Sequence, residues 1–387
     1  MPIINRIADF YDDMKKWRQK LHSNPELKFE CYHTAAFLVE RLKEFGITEI
    51  HEGIAKTGIV AIIEGEKKGK TIGLRADMDA LPLQEIHEHP YKSQNDGIMH
   101  ACGHDGHMTM LLGAARYLAE TRKFSGKVAL IFQPSEEDGG GGEVMCKEGI
   151  MDIFSIDQVY AIHTATDLPL GFFKTNPGPN MAAADDFTIL INGKGGHGAN
   201  PEETHDPIVS AVQIAQAIQT ISSRNLSALD SVVISITQIH SGTTHNIIPE
   251  HAFINGTVRT LRDTSKNLVK KRIHDICQGI SKAFKCKVDL NYQDGYPVTN
   301  NHQKETEFAV ETASEISGPQ QVDGTGDPIM GSEDFSYMLL ERPGAYLHLG
   351  QGFGPALHNP EYDFNDDLAP IGASFFAKLV EKSQPLD

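Results

Sequence analysis

At 387 residues, with 40% hydrophobic and 22% charged side chains, the chain is too long for a peptide-sized module and too apolar for disorder. A core of that size needs no covalent staples. The formal charge of −17, from 35 Lys and Arg against 52 Asp and Glu, sets a long-range field that opposes nucleic acid and anionic lipid as partners.

Five cysteines without regular spacing exclude a disulfide framework and fit a reducing compartment. The N-terminal stretch breaks into charge before a secretory core forms, and no window approaches the ~20 apolar residues that span a bilayer. The expected location is cytoplasmic. Eighteen histidines are the compositional anomaly, and histidine is the commonest metal ligand.

Ile7, Phe10, Met14, Trp17 and Leu21 share one face of a helix predicted over 3–22, and Thr34 to Phe45 reads as a second helix closed by Gly46. Apolar runs at 58–63, 71–74, 128–132 and 159–162 read as strands, and helices are predicted over 106–118 and 143–148. Several chemically loaded residues directly follow these strands, where open α/β sheets place their sites.

The middle of the chain then changes rhythm. Strand 186–191, helix 206–222, strands 231–239 and 253–261, helix 265–283 and strand 287–292 follow the order β-α-β-β-α-β of a ferredoxin-like module. The closing segment, with a helix over 304–317, a strand over 346–349 and a helix over 370–381, has too few strands for its own sheet. The expected organisation is therefore an α/β catalytic domain with a mixed sheet, formed by residues 1–184 and 296–387, into which an α+β module is inserted at 185–295.

The densest constellation is HACGHDGHM at 100–108. Cys102 and His104 offer a thiolate and an imidazole, both suited to zinc, but positions two apart face one another only off a helix, in a turn that Gly103 permits. A buried cysteine beside a surface histidine would look the same. FQPSEEDGGGG at 132–142 delivers Glu136 and Glu137 from a strand into a glycine-rich turn, so one carboxylate can face a metal and the other a water; a solvated acidic turn is the plain alternative.

His163 closes a strand and His358 lies in the turn ALHNPEYDF. Either alone reads as a structural histidine, but with Cys102, His104 and Glu137 they supply five ligands, enough for one or two metal ions. Asp77 and Asp79 in RADMDALP alternate past a strand, so one carboxylate can orient a ligand imidazole.

In the module, Gly193, Gly195 and Gly198 match a dinucleotide fingerprint only formally, because Pro201 delays the helix that would receive a pyrophosphate. That loop instead presents His197. Asn246 is placed to pair with a carbonyl or an amide, and Arg259 offers paired donors to a carboxylate.

These motifs in this order, RADMDALP, MHACGHDGHM, FQPSEE, GKGGHGANP, HNIIP, GSEDF and LHN, resemble the dinuclear-metal aminoacylase and carboxypeptidase clan. The resemblance is greatest to its amidohydrolase branch, with hippurate hydrolases, N-acyl-amino-acid amidohydrolases and auxin-conjugate hydrolases. It implies a metallopeptidase-type catalytic domain with a lid or dimerisation module, and a homodimer or higher oligomer. It further implies that Cys102, His104, Glu137, His163 and His358 hold two divalent ions, zinc first, with manganese, cobalt or nickel as substitutes.

The resemblance also implies that Glu136 acts as general base, that Asp79 supports the site, that His197 and Asn246 reach the scissile carbonyl, from the same or a partner protomer, and that Arg259 holds the substrate carboxylate. The implied reaction is hydrolysis of an N-acyl amino acid such as benzoyl-glycine. A dipeptidase or carboxypeptidase with the same metal chemistry is the alternative. Where the clan has a His-x-Asp pair this chain has Asp77-Met78-Asp79, and the resemblance implies that His104 replaces the lost histidine.

Overall fold

In the computed structural model, which describes residues 3–386, the apolar runs form strands and the amphipathic stretches form helices. The strands are β1 (Glu49–Ile54), β2 (Gly58–Glu64), β3 (Lys67–Asp77), β4 (Ser125–Gln133), β5 (Gln158–Ala165), β6 (Phe173–Lys174), β7 (Ala183–Asn192), β8 (Val232–Ser241), β9 (His251–Thr260), β10 (Lys287–Gln293), β11 (Val322–Asp323) and β12 (Gly344–Gly350). The main helices are α1 (Tyr11–His22), α2 (Tyr32–Glu44), α3 (His104–Thr121), α4 (Gly141–Lys147), α5 (Pro207–Arg224), α6 (Asp263–Phe284), α7 (Gln303–Ser317), α8 (Ser336–Glu341) and α9 (Ala369–Ser383).

By its internal contacts the chain divides into two units. The first comprises the described residues up to Asn180, Asn300–Asp327 and those from Asp334 on; the second comprises Met181–Thr299 and Pro328–Glu333.

The first unit is built on an eight-stranded mixed sheet of order β1-β2-β4-β3-β5-β12-β6-β11. Strands β4, β3, β5 and β12 run parallel at its centre, and β2 pairs antiparallel with β4. The closing segment contributes β12 to the middle of this sheet, between β5 and β6, so two distant stretches of sequence complete one core. Val128 to Phe132 is buried without exception, as a strand covered on both faces requires. Each large apolar side chain so placed contributes about 1.5–3 kcal/mol. Helix α3 packs against α9 and α1.

One local expectation is corrected and one strand lies outside the predicted elements. The helix predicted over 3–22 is interrupted at Asp9 and Phe10, giving Asn5–Ala8 and α1, yet Ile7, Phe10, Met14, Trp17 and Leu21 all remain in the core. Strand β1 has no sequence signal because it is a mostly exposed edge strand, paired on one side only and broken in register between Glu52 and Ile54.

The second unit contains a four-stranded antiparallel sheet of order β8-β9-β7-β10, the strand order of a ferredoxin-like fold. Strand β7 alternates buried and non-buried positions, and Phe187, Ile189 and Ile191 meet Ile214, Ile218 and Ile221 of α5 and Val269 and Ile273 of α6. Asp206 caps α5 by accepting from the amides of Ile208 at 2.8 Å and Val209 at 3.3 Å, with Pro207 in the first turn. The helix thus begins well after Gly198, against a pyrophosphate site. The two ends of the module meet where the Ala184 amide donates to the Tyr296 carbonyl at 3.0 Å.

Candidate metal centre

The candidate site lies at the carboxyl ends of the parallel strands, where side-chain direction is set by rigid backbone and the following loops are free to carry polar groups. β3 ends on Asp77, with Asp79 two residues beyond; β4 leads into Glu136 and Glu137; β5 carries His163. Asp77, Asp79, His104, Glu136 and His163 are all buried, and Glu137 is nearly so.

Gly103 has φ +82° and precedes the first turn of α3, which frees Cys102 from the helix and starts His104 on it. A Cβ at Gly103 would lie 2.5 Å from both Thr164 Cγ2 and the Tyr362 hydroxyl, so the turn admits only glycine. His358 sits in a left-handed conformation with φ +62°, and its amide donates to the Ala101 carbonyl at 2.8 Å. A segment far along the chain is thereby pinned beside Cys102.

The structure brings the five candidate ligands into one continuous cluster. Ligand atoms of Cys102, Glu137 and His358 lie within 4.8 Å of one another, as do those of His104, Glu136 and Glu137. Cys102 Sγ lies 3.4 Å from His163 Nε2, and His358 Nε2 lies 3.2 Å from Glu137 Oε1. Donors ~2.1 Å from a shared tetrahedral ion are separated by ~3.4 Å, so these spacings suit common ligation.

Hydrogen bonds fix which ring nitrogen is available. His104 Nδ1 donates to the Asp79 carbonyl at 2.7 Å, and His163 Nδ1 donates to the Thr164 carbonyl at 2.7 Å. In the neutral ring each leaves its lone pair on Nε2. His104 Nε2 is buried without a hydrogen bond, with Asp77 Oδ2 at 3.6 Å and Glu137 Oε1 at 3.9 Å. A buried ring nitrogen without a partner costs stability, which a cation at this position would recover.

The local electrostatics agree. Burial, then the charges of Glu137 and Glu136, pushes the Cys102 thiol well above its ordinary range, and burial pushes His163 well below its own. Burial also opposes charge on His104, but Asp77 and Asp79 outweigh it and raise the group to about 10. A divalent cation held here would reverse this balance, stabilising a thiolate and neutral imidazoles. The soft sulfur, imidazole and carboxylate donors fit zinc and leave room for manganese, cobalt or nickel.

Asp79 supports the site in an unexpected way. Its main-chain carbonyl orients His104, whereas its carboxylate stands 3.6 Å from that ring and accepts from the amides of Glu136 at 2.9 Å and Glu137 at 3.1 Å. Asp77 instead receives Arg75 Nη1 at 2.8 Å and His107 Nδ1 at 2.6 Å.

His107, which sequence reading left unassigned, falls in a second group with Asp77, His104 and His163. The Thr164 amide donates to its Nε2 at 2.9 Å, which places the proton on Nδ1, the atom facing Asp77. Both nitrogens are committed, so His107 braces the site without a free ligand atom. Its spacing of three from His104 on a helix was the signal for a shared face.

His197, Asn246 and Arg259 belong to the second unit. His197 pairs with Ile247 across two short strands, and the Gly198 amide donates to the Asn246 carbonyl at 2.9 Å, so His197 and Asn246 are neighbours on an exposed surface. Arg259 is half-buried on β9, where its guanidinium donates to Thr257 Oγ1 and to the Val258 carbonyl.

Residues 73–382 match the sequence profile of peptidase family M20/M25/M40. The chain is 41% identical over 385 residues to a hippurate hydrolase of Campylobacter jejuni, covering 99% of each, and 40% identical over 399 residues to thermostable carboxypeptidase 2 of Saccharolobus solfataricus, again covering 99% of each. It superimposes with a TM-score of 0.85 on the Bacillus subtilis YXEP protein, described as a dinuclear metal binding peptidase of the M20 family, at 30% identity over 97% of this chain and 99% of that one. The donor cluster therefore belongs to a metal-dependent hydrolase, and the chain is a member of peptidase family M20/M25/M40.

Proposed function

We propose that the protein cleaves the amide bond of N-acyl-L-amino acids of the hippurate class, releasing a carboxylic acid and an amino acid. The observation that carries this reading is the position of Glu136. Its carboxylate stands within 4.8 Å of the ligand atoms of His104 and Glu137, beside the cluster.

Cys102, His104, Glu137, His163 and His358 would hold two divalent ions, whose contribution is to polarise the amide carbonyl and lower the pKa of water. Glu136 takes the proton from the attacking water on its carboxylate and returns it to the departing amine. Asp79 holds the amides of Glu136 and Glu137, so base and ligand diverge from one fixed backbone. His197 and Asn246 donate to the carbonyl oxygen as it gains charge, and Arg259 takes the substrate carboxylate with paired donors. The module at 185–295 serves as the lid and dimerisation element of a homodimer, between the two catalytic segments 1–184 and 296–387.

The 41% identity to a hippurate hydrolase supports the acyl-amino-acid substrate. The 40% identity to a carboxypeptidase favours a second reading, in which the same groups cleave short peptides. Metal analysis coupled to turnover of matched acyl-glycines and dipeptides tests both. Faster release from acyl-glycines is expected, a clear dipeptide preference replaces the first reading with the second, and active protein without metal refutes both. Light scattering tests the dimer, and a monomer at working concentration counts against it.

A further inference from the structure

The motif GSEDF contributes one residue that the reaction above leaves unused. Asp334 is fully buried, and its carboxylate accepts hydrogen bonds from Arg75 on β3 and from Gln133 and Gly142. Gln133 Nε2 donates to Oδ1 at 2.7 Å and Oδ2 at 2.8 Å, Arg75 Nη2 donates to Oδ1 at 3.0 Å, and the Gly142 amide donates to Oδ2 at 2.8 Å. Gln133 is the last residue of β4 and Gly142 lies in the first turn of α4. One carboxylate therefore joins the two ends of the loop that carries Glu136 and Glu137.

The surroundings enforce this closure. A Cβ at Gly142 would lie 2.7 Å from the Asp334 carbonyl, and one at Gly141 would lie 1.7 Å from the Pro134 carbonyl, so no other residue permits the approach. Arg75 completes the arrangement, with Nε donating to Gln133 Oε1 at 2.9 Å and Nη1 to Asp77 Oδ2 at 2.8 Å. Ion pairs with both aspartates bury the guanidinium between the two acidic motifs. Removing charges from water is expensive, and neutral groups would suffice merely to close a loop. A bidentate, charge-assisted network is stiffer, and a base must be held to a fraction of an ångström.

We propose that Asp334, with Arg75 as its counter-charge, is a positioning residue for hydrolysis, clamping both ends of the Glu136–Glu137 loop while Asp79 holds its middle. The inference rests on the reading of Glu136 as the base.

The test compares the full-length wild type with Asp334→Asn, Arg75→Lys and Gln133→Leu, each loaded with zinc. Asp334→Asn preserves volume but turns an acceptor into a donor facing the amides. Amide exchange across 134–142 should accelerate at least about tenfold in Asp334→Asn, with α3 and β5 unchanged, because the loop opens locally. Turnover should fall about 10²-fold with KM within about threefold, the pattern of a misplaced catalytic group. Arg75→Lys keeps the charge but not the three separate donors, and should show the same changes to a smaller degree.

Gln133→Leu releases one end only and should move exchange and kcat in the same direction by less, which keeps the test decisive if Asp334→Asn does not fold. Unchanged loop exchange, or faster exchange with unchanged kcat, in the variants that fold overturns the proposal. Exchange is read without substrate, so a wild type that hydrolyses no amide refutes the proposed function separately from the clamp.

Discussion

The Asp79 carboxylate accepts the Glu136 amide at 2.9 Å, and its second oxygen takes the amide of Glu137 at 3.1 Å. One buried side chain thus fixes the backbone from which Glu136, the proposed base, and Glu137, a proposed metal ligand, diverge. Asp79→Asn keeps the shape but can accept from only one of these amides, leaving a buried donor facing a donor. The expected cost is about 1–3 kcal/mol of stability, read by denaturant unfolding. A drop in kcat of about 10²-fold should accompany it, measured by steady-state kinetics at saturating metal. Full activity would remove Asp79 from the site.

Glu136→Gln removes the proposed proton acceptor while retaining the loop. Turnover should fall by about 10²–10⁴-fold or more, since that is the range of general-base catalysis. Metal content should stay at the wild-type level, because Glu136 is assigned to water and Glu137 to the ions. Elemental analysis beside kinetics checks both halves; loss of metal would reassign Glu136 as a ligand.

Metal binding should stabilise the fold, because the donors converge only in the folded chain. At free zinc about 100-fold above its Kd the gain is about 2.7 kcal/mol. Chelation should therefore lower Tm and abolish turnover, and added zinc, manganese or cobalt should restore them. Cys102→Ala, which removes the atom 3.4 Å from His163 Nε2, should show a much smaller metal-dependent rise in Tm. Equal rises in both proteins would exclude Cys102 as a ligand.

His22 makes stability depend on alkaline pH. Its Nδ1 lies 2.8 Å from Asp105 Oδ2 and its Nε2 lies 3.4 Å from Glu85 Oε1. Burial alone would lower this group, but these hydrogen bonds more than reverse that and raise it from 6.5 to about 9. A group whose folded value is raised contributes fully below its unfolded value and loses that contribution as pH climbs through the folded one. The contribution, on the order of 3 kcal/mol, should be present at and below pH 6.5 and gone above about pH 9. Unfolding free energies from pH 6 to 10 should decline in the wild type and stay flatter in His22→Gln; parallel curves would refute the assignment.

Local periodicity made most of the fold legible. Buried runs such as Val128 to Phe132 and alternating ones such as β7 declare themselves because burial pattern follows strand geometry. β1 was invisible because an exposed edge needs no apolar pattern. The motifs around Cys102, His104 and Glu137 were legible because metal chemistry demands particular donor atoms. The partners of Asp334 were not, since Gln133 and Gly142 lie about two hundred residues away in sequence and reach its carboxylate only in the folded chain.

The amino-acid sequence by itself determined the order of elements, the ferredoxin-like module and the donor types available for metal, because each depends on residues close along the chain. Tertiary structure alone decided how those donors are used. His104 and His107 are one helical turn apart and chemically identical in sequence. Only long-range contacts separate them: the Asp79 carbonyl leaves His104 Nε2 bare, while the Thr164 amide and Asp77 occupy both nitrogens of His107. A ring nitrogen is a ligand only if nothing else claims its lone pair, and that is settled by partners brought together across the fold.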